Sequence, residues 1–207
     1  MLSERQGALQ LKRLEMLMDV VFALIIWRIF MILPRPEGES AQWESVVKML
    51  QNNWETFLLV LLSTIIVIVF WIQNNNLLGK LKRTDTVHTS MAIFQVIFML
   101  LLLYSIGLGI RYEGELVTKV MESTAAILVS LMAYLGWRYA MFRAKLVADD
   151  VTEEEARQTL EQNKAEPITA AITIPFAFVG PLAWELSWFL YPFIKYLFKR
   201  YSKNRKS

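Results

Sequence analysis

The 207-residue chain has no cysteine, a single histidine, six prolines and eight glycines. Without cysteine there are no disulfides and no thiolate metal sites, although that says nothing of compartment. The one histidine, His88, stands at the entry to an apolar block and reads as a helix-end residue rather than a catalyst. H-E-x-x-H, G-x-S-x-G and Gly-rich phosphate loops are all missing, and so is any T-V-G-Y-G-like filter. No internal repeat, arginine ladder or ligand-binding domain stands out. Little of the chain is left for a soluble active site, so enzymatic chemistry, a cofactor and a metal site are not expected. A cleavable signal peptide is not expected either: Glu4 and Glu15 lie in the N-terminal region, and the first apolar run ends in Leu-Pro-Arg-Pro with no small-x-small site.

What the chain does have is apolar residues, 55% of the total, gathered into blocks at 16–33, 57–72, 91–110, 125–142 and 168–198. A bilayer core about 30 Å thick takes roughly 20 such residues at about 1.5 Å each. The pattern is that of an integral membrane protein. The last block is too long for one straight span, and Gly180-Pro181 divides it. Six spans are therefore expected, near 13–33, 54–73, 90–110, 120–142, 167–179 and 181–198, in one all-α domain covering 1–207. The fifth is short, and a re-entrant hairpin is the alternative there.

Charge in the connections tests the count. Arg5, Lys12 and Arg13 precede the first span; Lys80, Lys82 and Arg83 follow the second; Arg143, Lys145, Arg157 and Lys164 follow the fourth; Lys195, Lys199, Arg200, Lys203, Arg205 and Lys206 close the chain. The other two long connections are acidic on balance, with Glu37, Glu39, Glu44 and Glu55 in one and Glu113, Glu115 and Glu122 in the other. Alternate connections carry the Lys/Arg excess, which puts both termini in the cytoplasm. The formal net charge of +3 reflects these loops and gives no reason to expect a nucleic-acid partner. The basic tail suits anionic lipid headgroups.

One extramembrane stretch, "DDVTEEEARQTLEQN", reads as a cytosolic helix over about 152–164. Thr152 and Glu155 form a capping box, and the acidic first turn suits a helix N-terminus. Five acidic residues within 149–155 also raise a cation site, but their spacing matches no calcium loop.

"RLEMLMD", from Arg13 to Asp19, resembles the R-x-x-x-F-S-D signature that opens the transmembrane protein 175 family, the endolysosomal potassium channels. The end of the second apolar block, "VIVFWIQNNNLLGKLKRTD", resembles the family's F-W pair, His pair, basic stretch and Asp, here with Phe70, Trp71 and Asp85. Leu17 and Met18 replace the usual Phe and Ser, and Asn74-Asn75 replaces the His pair. The resemblance spans the chain as one six-helix repeat. It implies a bacterial-type homotetramer, without cofactor, in the inner membrane. Self-association and lipid contact are the partnerships implied; a protein partner is left open.

The same resemblance implies a polar network of Arg13, Asp19, Trp71, Asn74 and Asn75 that braces the first helix. It also implies a pore lined by that helix at the fifth, ninth and twelfth residues after the signature Asp: Leu24, Arg28 and Met31. At about 100° per residue these fall near 140°, 180° and 120° from Asp19, one stripe of the helix. Asp19 then points the other way, into the bundle. Trp27, off the stripe, is expected to pack on a neighbouring helix. Trp43, Trp54, Trp71, Trp137 and Trp184, near span ends, suit interfacial anchoring.

Arg28 breaks the family pattern, which has Leu or Ile there. Three readings stand: an arginine snorkelling outward from about 7.5 Å below the helix end; a basic ring on the pore axis, favouring anions; or a pair with Glu185. The function expected is a potassium-permeable channel, with a non-conducting scaffold or an anion-selective variant as alternatives.

Overall fold

The computed structural model describes residues 4–36, 42–112 and 114–204. They form helices α1 (Glu4–Phe30), α2 (Trp43–Asn52), α3 (Trp54–Leu78), α4 (Thr86–Arg111), α5 (Leu116–Phe142), α6 (Glu153–Gln162), α7 (Ala165–Ala177), α8 (Pro181–Ser187) and α9 (Leu190–Asn204). The described residues contain no strand; a lone antiparallel bridge joins Leu81 and Val147. Helices α3, α4 and α5 are each long and apolar enough to cross a membrane.

Helix α1 begins earlier than the expected 13–33, because its packing repeat extends into the polar N-terminal region. Gly7, Leu11, Leu14, Met18, Phe22, Ile25 and Ile29 are its buried residues. Steps of three and four keep them on one face, and that face lies against α3 and α4. One core cluster joins Phe22, Ile25 and Ile29 to Phe70, Leu102 and Val129. A second joins Leu11, Leu14 and Met18 to Leu78, Trp137 and Leu160. Helix α5 is the hub, packed on α4 and α7. Its buried Ala125, Ala126, Ser130, Gly136 and Ala140 let neighbouring backbones approach closely.

The basic connections converge at one end of the bundle. Lys82 donates its backbone N–H to the Leu146 carbonyl (2.9 Å), Ala148 to Lys80 (2.9 Å) and Thr84 to Gly7 (3.1 Å). Around this seam Lys80 pairs with Glu155 at 3.1 Å, Arg83 with Glu4 at 2.6 Å, and Lys82 with Asp149. Gly7 allows the close approach, since a Cβ there would lie 2.9 Å from the Thr84 carbonyl oxygen. Asp85 caps α4 by accepting from His88 N (2.8 Å) and also accepts from Tyr139 Oη (2.9 Å). His88 is buried, its Nδ1 2.9 Å from Thr84 Oγ1. At the other end of the bundle, the α4–α5 turn meets the start of α8: a Cβ on Gly114 (φ +73°) would lie 3.1 Å from Pro181 Cβ.

Three expectations need correction. The connection after α1 contains a helix, α2, whose residues are all at least partly exposed. The segment 181–198 is two helices, α8 and α9, parted at Trp188–Phe189. Pro192 accounts for the break: its ring has no N–H to give the Trp188 carbonyl and crowds it, so that carbonyl accepts from Tyr191 N instead (3.0 Å). Third, Trp137 and Trp184 are buried rather than interfacial. Their indoles donate to the Ala156 carbonyl (3.0 Å) and to Ser123 Oγ (2.8 Å).

Over 153–162 the cytosolic-helix reading corresponds to α6, with Thr152 Oγ1 accepting from Glu155 N at 3.2 Å. Glu37 and Glu39, assigned to the first acidic connection, and Glu113, assigned to the second, lie outside the described residues, as do Arg205 and Lys206 of the basic tail.

Candidate functional site

The buried stripe of α1 fixes where its other residues point. Met18 is one residue, about 100°, round the helix from Asp19. Asp19 and the Leu24–Arg28–Met31 stripe therefore flank the packed face on opposite sides. Both are exposed in the protomer.

Asp19 thus does not enter the bundle, because the face that does is centred on Met18, Phe22 and Ile25. It lies at the edge of α1 beside α3, where Trp71 Nε1 donates to its Oδ1 at 2.9 Å. Of the five residues assigned to the bracing network, these two meet. Arg13 is exposed and has no described partner. Asn75 is half-buried, and its backbone carbonyl accepts from Gly79 N at 2.9 Å. Asn74 is turned inward instead, its Nδ2 buried without a described partner. It lines a cavity of about 20 Å³ together with His88 and Gln95, room for one water molecule.

Leu24 is 56% exposed and Met31 42%, and Leu17, Val20 and Trp27 beside them are also open. Trp27 therefore packs on no helix of its own protomer. A contiguous apolar strip of this length on one helix marks a surface meant for contact. Arg28 interrupts it in the last turn of α1, where a cation suits the helix dipole. It makes no ion pair or hydrogen bond with any described residue. Within the protomer Glu185 pairs with Lys119 and not with Arg28: Glu185 Oε1 lies 3.7 Å from Lys119 Nζ.

That Lys119 belongs to a locus missed in the sequence. Lys119 and Glu122 sit in the first two turns of α5, both buried, with Lys119 Nζ 3.5 Å from Glu122 Oε1. Glu122 is thus not a connecting-loop charge. The missed signal was a Lys-x-x-Glu step inside an apolar helix, where ionisable groups rarely stand without purpose.

Residues 13–103 match the sequence family described as the endosomal/lysosomal potassium channel TMEM175. The match begins at Arg13 and takes in the α1 stripe, Asp19, Trp71, both asparagines and Asp85. A comparison with curated protein sequences finds no significant match. Among solved structures, the chain is similar to a lysosomal potassium-selective channel TMEM175 homologue from Chamaesiphon minutus. That likeness has a TM-score of 0.67 at 16% identity and covers 95% of this chain and 97% of the other. It is also similar to a variant of the potassium channel MtTMEM175 solved with a nanobody–MBP fusion, with a TM-score of 0.66 at 17% identity and 93% of each chain covered. At such identities the likeness speaks for the fold, and it extends across α5–α9, beyond the sequence match. By its apolar helices the chain is an integral membrane protein, and over residues 13–103 its sequence is similar to the TMEM175 family.

Proposed function

We propose that this chain is the pore-forming subunit of an ion channel that conducts potassium. The observation that carries the reading is the outward face of α1: Leu17, Val20, Leu24 and Met31 are exposed although the opposite side of the same helix is fully packed. A protomer that leaves such a strip open needs further copies to cover it. Four copies about an axis would turn the strips inward and form an apolar constriction centred on Leu24, with no filter loop and no cofactor. Both fold neighbours are potassium channels, which supports the choice of ion.

In this reading six spans cross the bilayer: α1, α3, α4, α5, α7 and the broken α8–α9. The basic end faces the cytoplasm of a bacterial cell, with both termini on that side. The clustering of Lys80, Lys82 and Arg83 with the α5–α6 connection at one end of the bundle supports this orientation. Asp19 and Trp71 brace α1 against α3, and Arg13, exposed on α1, reaches a carboxylate of a neighbouring copy.

Arg28 supports a second reading. An unpartnered cation on the pore side raises the barrier to cations and attracts anions, giving an anion-selective or non-conducting assembly. Flux from liposomes holding opposed potassium and chloride gradients separates the readings. Potassium flux that persists in Arg28→Leu with an unchanged reversal potential places Arg28 off the axis. A reversal potential that moves toward potassium in Arg28→Leu makes it a ring. Absence of both fluxes in wild type and variant removes the channel proposal.

A further inference from the structure

Lys119, Glu122 and Glu185 lie at one end of a cavity of about 390 Å³ between α3, α5 and α8. No residue of α1 lines it, so it is separate from the proposed pore. The cavity follows α3 from Leu58 to Phe70, twelve residues or about 18 Å. That is close to one leaflet of hydrocarbon, about half of the roughly 30 Å bilayer core. Its mouth is bordered by Leu186 and Phe189, both well exposed, so it opens sideways onto the surface of the bundle.

The polar end is built with some care. Glu122 stands two turns into α5, and a Cβ on Gly109 of α4 would collide with its Oε1. Lys119 Nζ lies 4.3 Å from the centroid of the Trp184 ring. Its two carboxylate contacts, 3.5 and 3.7 Å, are long against the roughly 2.7–2.9 Å of a charge-assisted hydrogen bond. These three are the only charged side chains among the described residues that line the cavity. One cation faces two carboxylates, which leaves a formal negative charge in apolar surroundings. Trp188, one turn beyond Glu185 and also lining the cavity, has a buried indole N–H with no described acceptor.

We propose that this cavity binds a membrane phospholipid whose headgroup carries a primary ammonium, one molecule per subunit. The ammonium answers the surplus carboxylate, with Glu185, the more open of the two, as its main partner. One turn deeper the Trp188 N–H meets a glycerol-ester carbonyl, and an acyl chain fills the apolar length along α3. A quaternary headgroup has no N–H to donate to the carboxylates, and an anionic one would add to the surplus charge. The proposal rests on membrane residence and not on conduction.

The test is native mass spectrometry of the delipidated full-length protein, offered equal amounts of phosphatidylethanolamine, phosphatidylcholine and phosphatidylglycerol with identical chains. The ethanolamine lipid is expected to be retained about tenfold over the glycerol lipid, the scale of one charge-assisted hydrogen bond. Glu122→Gln and Glu185→Gln each leave Lys119 with one carboxylate, so the fold keeps a balanced pair while the preference falls toward parity. Leu186→Trp, at the exposed mouth, is expected to block retention of all three lipids. Equal or greater retention of the glycerol lipid overturns the proposal. So does competition by free ethanolamine at the same concentration as the lipid, which would make the groove irrelevant. A Leu186→Trp protein that loses its oligomeric state and not its lipid also overturns it, because a second copy then fills the groove.

Discussion

Arg28 and Lys119 are both cations in long apolar helices, and the chain treats them in opposite ways. Lys119 is buried among two carboxylates and an indole ring, all supplied by its own protomer. Arg28 is exposed and has no described partner. The fold has therefore answered one charge internally and left the other to whatever covers α1 from outside. A buried charge reports on the stability of the protomer; an outward one reports on its surroundings. The same division separates the packed and open faces of α1.

The largest effect on stability is expected at Lys119. Lys119→Met strands two carboxylates in the interior and should cost about 3–5 kcal/mol, read as a loss of thermal stability in detergent. Adding Glu122→Gln and Glu185→Gln to that variant should recover most of the loss, since removing the whole set of charges is often close to neutral. If the single variant melts like wild type, Lys119 is no more committed to the interior than Arg28 is.

Gly7→Ala tests the packed side of α1 from a different direction. Its Cβ would press on a backbone oxygen of Thr84, which cannot swing away, and overpacking of this sort costs about 1–3 kcal/mol. Trp71→Phe samples the edge of the packed face. Losing one partly solvated hydrogen bond to Asp19 should lower stability by about 1 kcal/mol, and a larger fall would move Asp19 to the structural side of the comparison. Arg28→Leu should change thermal stability by less than about 0.5 kcal/mol, read in the same detergent melt. A strong destabilisation there would mean that Arg28 has a partner after all.

The sequence made the helices legible wherever apolar residues ran for about twenty positions, as in α3, α4 and α5. It did so less well where a second pattern overlaid the first. In α2, Trp43, Val46, Val47 and Leu50 fall at helical spacing, but the acidic neighbours Glu44 and Glu55 made the stretch read as a connection. Glu122 reads in the same way as a loop charge at the border of a span, which hides its pairing with Lys119. Gly180-Pro181 marks the turn before α8, and Pro192 parts α8 from α9 four residues after the carbonyl it displaces. The direction of Asp19 was out of reach for a different reason. Helical angles relate residues to one another, but only the packed stripe through Met18 fixes which of them faces the protein.

The seam at the basic end also carries a clock. Gly7 accepts from Thr84, while Lys80 and Lys82 bond to Ala148 and Leu146. None of these bonds can form until the later partner has been synthesised, so the start of the first helix is made well before anything can fasten it. A nascent chain cut short before residue 146 has its four long helices, α1, α3, α4 and α5, complete and still lacks the bonds of Lys80 and Lys82 to Ala148 and Leu146. The two sides of the seam are therefore made at different times, divided by some sixty residues of synthesis between Thr84 and Leu146.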